Sequence, residues 1–154
     1  PGDLHNWSRL FRMVHHSKLP AAPPGGGNFC DVREVASAHI QAFHDGGSGE
    51  KYLLGGEFAR YLDVIALAGR RLQRKVPTTT VPGWLFRAIS HFMAPLSLFT
   101  GSEPDITPES AAMASGELVC DSAKAERELS YRSVALETMV HDTIDWMEDK
   151  GLLQ

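Results

Sequence analysis

The stretch from Asn28 to Glu57 constrains this chain more than any other. It opens with Asn28-Phe29-Cys30-Asp31-Val32, which reads as a short strand. Arg33-Glu34-Val35-Ala36 turns that strand into a helix carrying Val35, Ala38, His39, Ala42 and Phe43 at helical spacing. Asp45-Gly46-Gly47-Ser48-Gly49 stops the helix, because consecutive glycines cost backbone entropy in a helix interior. Lys51-Tyr52-Leu53-Leu54-Gly55-Gly56-Glu57 then reads as a buried strand ending in a turn. Strand, helix and strand within about 30 residues is the length of one βαβ unit, so a parallel pair is the expectation.

The same residues carry a resemblance. Asn28 to Ala36, followed by Gly49-Glu50-Lys51-Tyr52-Leu53-Leu54-Gly55-Gly56-Glu57, resembles the second half of an extended short-chain dehydrogenase/reductase. The nearest branch contains dihydroflavonol reductases and NAD-dependent epimerase/dehydratases. Pro1-Gly2-Asp3 is similar to the end of that family's Gly-Pro-Gly-Asp loop. Asp121 to Tyr131 resembles its late Ala-x-x-Glu-Leu-Gly-Tyr element, with Ser130 where glycine is usual. Trp146 to Gly151 resembles its closing helix. The resemblance implies an α/β fold, the C-terminal portion of a Rossmann-type enzyme, helix-rich with a few short strands.

Bulk properties narrow the classes further. At 154 residues the chain is one domain's worth and long enough to bury a core. Its net charge of −4 gives no basic stripe for nucleic acid. Cys30 and Cys120 are too few for a disulfide scaffold and read as reduced thiols of a cytoplasmic protein. The most apolar segment, Trp84 to Phe99, is too short to span a bilayer and contains Arg87, His91 and Pro95. The start at Pro1, with no initiator methionine, signal peptide or basic leader, suggests a piece of a longer protein.

Elsewhere the periodicity predicts helices. Trp7, Leu10, Phe11 and Val14 mark one over His5 to Ser17, which Asn6 could cap. Leu19 to Ala22 reads as a short strand before the loop Pro23-Pro24-Gly25-Gly26-Gly27. A helix is expected over Phe58 to Gln73, with Tyr61, Leu62, Ile65, Ala68, Gly69 and Leu72 on its apolar side. Another starts at Pro82 and runs towards Pro95. Thr107-Pro108-Glu109 opens the next. Leu118-Val119-Cys120 reads as a short strand, with Asp121 or Ser122 capping the helix after it. The last helix covers Val134 to Asp149 and stops at Gly151.

The missing chemistry is as informative. A dinucleotide site needs a glycine turn after a strand and before a helix, so that amides approach the pyrophosphate. Gly25 to Gly27 precedes a strand, Gly46 to Gly49 follows a helix, and Gly55-Gly56 lacks the rest of the pattern, so all three read as turn glycines. Reductases of the resembled family use Tyr-x-x-x-Lys, but four positions after Tyr52, Tyr61 and Tyr131 stand Gly56, Ile65 and Ala135. No catalytic or cofactor-binding residue is therefore assigned, and no His/Cys spacing suggests a metal.

What the resemblance implies is the substrate side of an enzyme using NAD or NADP. The cofactor and the proton donor would lie in an N-terminal nucleotide-binding half. Gly2 and Asp3 are then expected near the cleft, and Asn28, Phe29 and Arg33 in its wall. Nucleotide-sugar members of the family carry an arginine where this chain has Gly25-Gly26-Gly27, which favours a neutral carbonyl substrate. A sugar epimerase/dehydratase and a non-catalytic NAD(P)-sensing module are the alternatives.

Overall fold

Glycines build the centre of the sheet. In the computed structural model, which describes residues 7–85, 88 and 108–153, strand β1 is Gly26–Phe29. It lies between β2 (Glu57–Arg60) and β3 (Glu117–Leu118), giving the order β2-β1-β3. A Cβ on Gly26 would sit 2.6 Å from the Ala59 carbonyl oxygen, and one on Gly25 would sit 2.2 Å from that of Gly116. Only glycine permits so close a backbone approach. The tract expected to be a loop therefore enters the sheet.

The expected parallel pair is not formed by these segments. β1 runs antiparallel to β2, with Phe29 opposite Glu57 and Gly26 opposite Arg60. Its parallel neighbour is β3. The reversal occurs at Gly56, whose φ of +70° is open to glycine. There a Cβ would meet the Phe29 carbonyl oxygen at 2.0 Å. Of the strand expected over residues 51–57, residues 51–56 lie outside the sheet; Glu57 joins residues 58–60, expected to begin a helix, in β2. In place of a strand over residues 19–22 there is a single bridge, Ala22 to Thr80.

Three helices enclose the main core: α1 (Trp7–His15), α3 (Tyr61–Leu72) and α6 (Leu136–Asp149). Val14, Val64, Ile65, Ile144 and Met147 are fully enclosed there. α3 ends on Gln73 in the left-handed conformation, and α6 is followed by Gly151 at φ +64°. A second, smaller cluster joins Ala38 of α2 (Val32–Asp45) to Ala125 and Leu129 of α5 (Ala123–Leu129) and to Tyr131. α4 is Pro108–Ala114. Residues 83–85 are helical, and most of the helix expected from Pro82 lies outside the described residues, as do Asn6 and Thr107.

α2 is apolar on two sides. Ala38 is buried, with Val35 and Ala42 partly covered, but His39 and Phe43, expected on that same face, are exposed. None of the described helices is long and apolar enough to cross a membrane.

Candidate functional site

The end of β1 is held by one side chain. The Asn28 amide donates to the Gly56 carbonyl (2.9 Å) and the Cys120 carbonyl (3.5 Å), and its Oδ1 accepts from the Cys120 N–H (2.7 Å). β1 and β3 make no ladder bonds this far along, so the primary amide stands in for a stretch of backbone. Next to it, the Gly55 N–H donates to Ser122 Oγ (2.7 Å) and the Ala123 N–H to Asp121 Oδ1 (2.8 Å). Of the two candidate caps for α5, Ser122 holds the N-cap position but spends its hydroxyl on the 55–56 turn, and the carboxylate of Asp121 before it accepts from the first helical N–H.

This clamp borders a hollow of about 840 Å³. Trp7, Phe29 and Tyr61 meet in its wall. The Trp7 and Phe29 rings are edge to face at 5.0 Å between centroids, and Tyr61 lies 5.8 Å from Trp7 and 6.4 Å from Phe29. These spacings are those of favourable aromatic pairs. Leu53, Leu118, Val119, Met139 and Val140 supply aliphatic surface. Among the described residues lining it, Asp121 is the one charged side chain, and none is lysine, arginine or histidine. Of the three glycines before Asn28, Gly27 has room for a Cβ, its nearest neighbours being 3.9 Å away, and it too lines the hollow.

Arg33 stands elsewhere. It borders a second hollow of about 460 Å³ that shares Cys30, Met139 and Thr143 with the first. Its guanidinium donates to both oxygens of Asp31 (2.9 and 2.5 Å) and to Asp142 Oδ2 (2.5 Å). Asp31 also caps α2 by accepting from the Arg33 N–H at 2.8 Å. The hydrogen bonds from Arg33 hold the Asp31 carboxyl below its usual range against the effect of burial. The two aspartates in turn push the guanidinium further towards its charged form. Structure thus brings Asn28 and Phe29 together at the larger hollow and engages Arg33 between carboxylates; Gly2 and Asp3 lie outside the described residues.

Trp7, Tyr61, Leu118 and Val119 carry no motif that marks them for this wall. Their only sequence signal is aromatic or aliphatic character, and they converge from segments far apart in the chain. Tyr131 is buried with its hydroxyl lacking a hydrogen-bond partner, and burial, reinforced by nearby Cys30, raises its pKa.

These residues do not fit a dinucleotide. Gly25, Gly26 and Gly56 are filled by neighbouring backbone, and the N-termini of α2 and α5 are occupied by the carboxylates of Asp31 and Asp121. A carboxylate at a helix N-terminus takes the place that a pyrophosphate would need. Nor do the described residues contain a group of three His, Cys, Asp or Glu side chains able to hold a metal ion.

This helix-rich α/β unit with a small three-stranded sheet is similar to the C-terminal part of extended short-chain dehydrogenases/reductases. A protein provisionally named dihydroflavonol 4-reductase, from Synechocystis sp., is 26% identical over 141 residues, covering 89% of this chain and 41% of its own length. The crystal structure of gox2253 matches 97% of this chain and 46% of its own, with a TM-score of 0.77 and 27% identity. The UDP-glucuronic acid 4-epimerase from Bacillus cereus, solved with NAD, shares the fold at a TM-score of 0.61 and 16% identity, over 95% of this chain and 39% of its own. The chain spans about two fifths of the length of the curated relatives it matches. No known family profile matches it.

Proposed function

We propose that this chain is the substrate-binding part of an NAD(P)-dependent oxidoreductase that reduces a neutral carbonyl compound by hydride transfer. The nicotinamide cofactor, NAD or NADP, and the proton donor are supplied by an N-terminal nucleotide-binding half. The observation that carries the reading is the larger hollow: aromatic and aliphatic, without a cation among its described lining. Such a surface binds apolar, uncharged molecules through buried area and excludes water from the reacting carbon. In this reading Phe29 forms wall, Asn28 holds that wall in place, Arg33 stands at the rim of the adjoining hollow, and Gly2 and Asp3 border the cleft. We assign the enzyme to the cytoplasm, where unpaired thiols such as Cys30 and Cys120 persist.

A sugar epimerase/dehydratase is the second reading, favoured by the likeness to the UDP-glucuronic acid 4-epimerase. A diphosphate calls for a guanidinium or ammonium partner. Here the place of the family's arginine is glycine, and Arg33 is taken by Asp31 and Asp142. The two readings separate in one assay of the protein expressed with its upstream coding region. Oxidation of NADPH or NADH by neutral aromatic ketones supports the first. Epimerisation of UDP-sugars, with no turnover of such ketones, overturns it.

A further inference from the structure

Two helices end side by side in a patch of unpaired positive charge. α1 and α3 pack through Phe11, Val14, Ile65 and Ala68, and each stops in the same way. Ser17 and Gln73 both adopt the left-handed conformation at φ +54°, and a cation follows each, Lys18 and Arg74. The Lys18 and Arg74 N–H groups donate back to the Met13 and Gly69 carbonyls. Arg12 and Arg70 stand about one turn earlier on their helices, and Lys75 follows Arg74. All five side chains are exposed. None of them makes an ion pair among the described residues, whereas Arg33, Arg71 and Lys124 sit against carboxylates.

These charges are close enough to feel one another. Desolvation, followed by the positive fields of His15, Lys18, Arg12 and Arg74, lowers the pKa of His16. The ends of α1 and α3 therefore share one electrostatic neighbourhood. A cation near a helix C-terminus complements the helix dipole, and one or two per helix serve that purpose. A cluster that repels a neighbouring imidazole goes beyond it. The chain as a whole carries −4, so these cations are gathered against the overall balance.

The form of the patch selects its partner. None of the five residues lines either hollow, so they do not cradle a substrate. No exposed phenylalanine, tyrosine or tryptophan is interleaved with them in residues 9–20 or 69–77, as stacking on nucleic-acid bases would need. An open array of point charges matches a planar array of phosphates, such as the cytoplasmic leaflet of an anionic membrane presents. We infer that Arg12, Lys18, Arg70, Arg74 and Lys75 form a peripheral docking surface for anionic phospholipid headgroups. The choice of a membrane rests in part on the function proposed above, because neutral apolar compounds partition into bilayers. Trp7 and Tyr61, at the opposite ends of the same two helices, line the larger hollow. Docking through the patch holds that hollow clear of the headgroups by one helix length, about 14–18 Å.

Vesicle co-sedimentation of the protein expressed with its upstream region tests the inference. Phosphatidylcholine vesicles with about 30% phosphatidylserine should pellet the protein at about 0.1 M salt, and pure phosphatidylcholine should not. Each basic residue near an anionic surface strengthens binding about fivefold, so the combined Arg12→Gln, Lys18→Gln, Arg74→Gln and Lys75→Gln variant should bind on the order of 100-fold more weakly or worse. Equal binding to both vesicles, binding to neither, or undiminished affinity of the folded variant overturns the inference. So does tighter binding to a single-stranded RNA homopolymer at equal phosphate concentration, which makes the patch a nucleic-acid surface. If the variant shows no melting transition, the parent decides: binding that survives about 1 M salt is not electrostatic docking. Vesicle binding without ketone reduction leaves the docking standing and sinks the proposed function. Ketone reduction without vesicle binding does the reverse.

Discussion

The two faces of this molecule are built to different standards. Between α1, α3 and α6, branched and sulfur-containing side chains are wholly enclosed, and Ile65, Ile144 and Met147 expose nothing. Across α2 and the segment after it, Val32, Ile40, Phe43 and Leu53 of comparable apolarity stand in solvent. Composition does not separate the two regions; partners do. The first face has its complement within the chain, whereas the second stands uncovered among the described residues. Exposed apolar surface of this kind marks an interaction site.

Mutations can break or sharpen that contrast. The largest effect is expected from Ile144→Ala, which opens a cavity in the closed face and should cost about 2–5 kcal/mol in urea unfolding. Next is Asn28→Ala. It removes the clamp between β1, the 55–56 turn and Cys120 and leaves partly buried backbone groups unpaired, at about 1–3 kcal/mol. If Asn28→Ala leaves the unfolding midpoint unchanged, the clamp is not what holds the hollow's edge.

Asp31→Ala should cost about 0.5–2 kcal/mol as a lost helix cap. Because the folded-state pKa of Asp31 is lowered, its contribution is complete above the ordinary carboxylate range. It fades as pH falls through the lowered folded value. The variant's stability should therefore decline less steeply on acidification than that of the parent, as thermal melts across an acid series would show. A smaller gain is expected from Ser130→Gly. Ser130 ends α5 at φ +54°, where an L side chain is strained, and glycine should raise stability by about 0.5–1 kcal/mol. Smallest of all is Phe43→Ser in the chain alone, within about 0.5 kcal/mol despite removing a large apolar group. A cost approaching that of Ile144→Ala would show that the α2 stripe is covered within the chain.

Local pattern made much of this legible. The amphipathic spacing of Trp7, Phe11 and Val14 marks α1, and that of Leu136, Val140 and Met147 marks α6. What escaped the sequence depends on distant neighbours. Gly25 and Gly26 look like loop, because the backbones of Gly116 and Ala59 that require small residues there come from elsewhere in the chain. Lys51 to Leu54 has a strand's pattern, yet it joins no ladder among the described residues. Val35, His39 and Phe43 stand four residues apart, yet both sides of α2 are apolar, so periodicity could not choose the covered one. Trp7 and Tyr61, which join Phe29 in the wall, come from separate segments without any motif.

Calorimetric titration of NADPH and NADH into the 154-residue chain, and into the protein carrying its upstream half, tests the division of labour most directly. The account predicts no heat of binding from the chain and a saturable isotherm from the longer protein. Saturable binding of either nucleotide by the chain alone would contradict it.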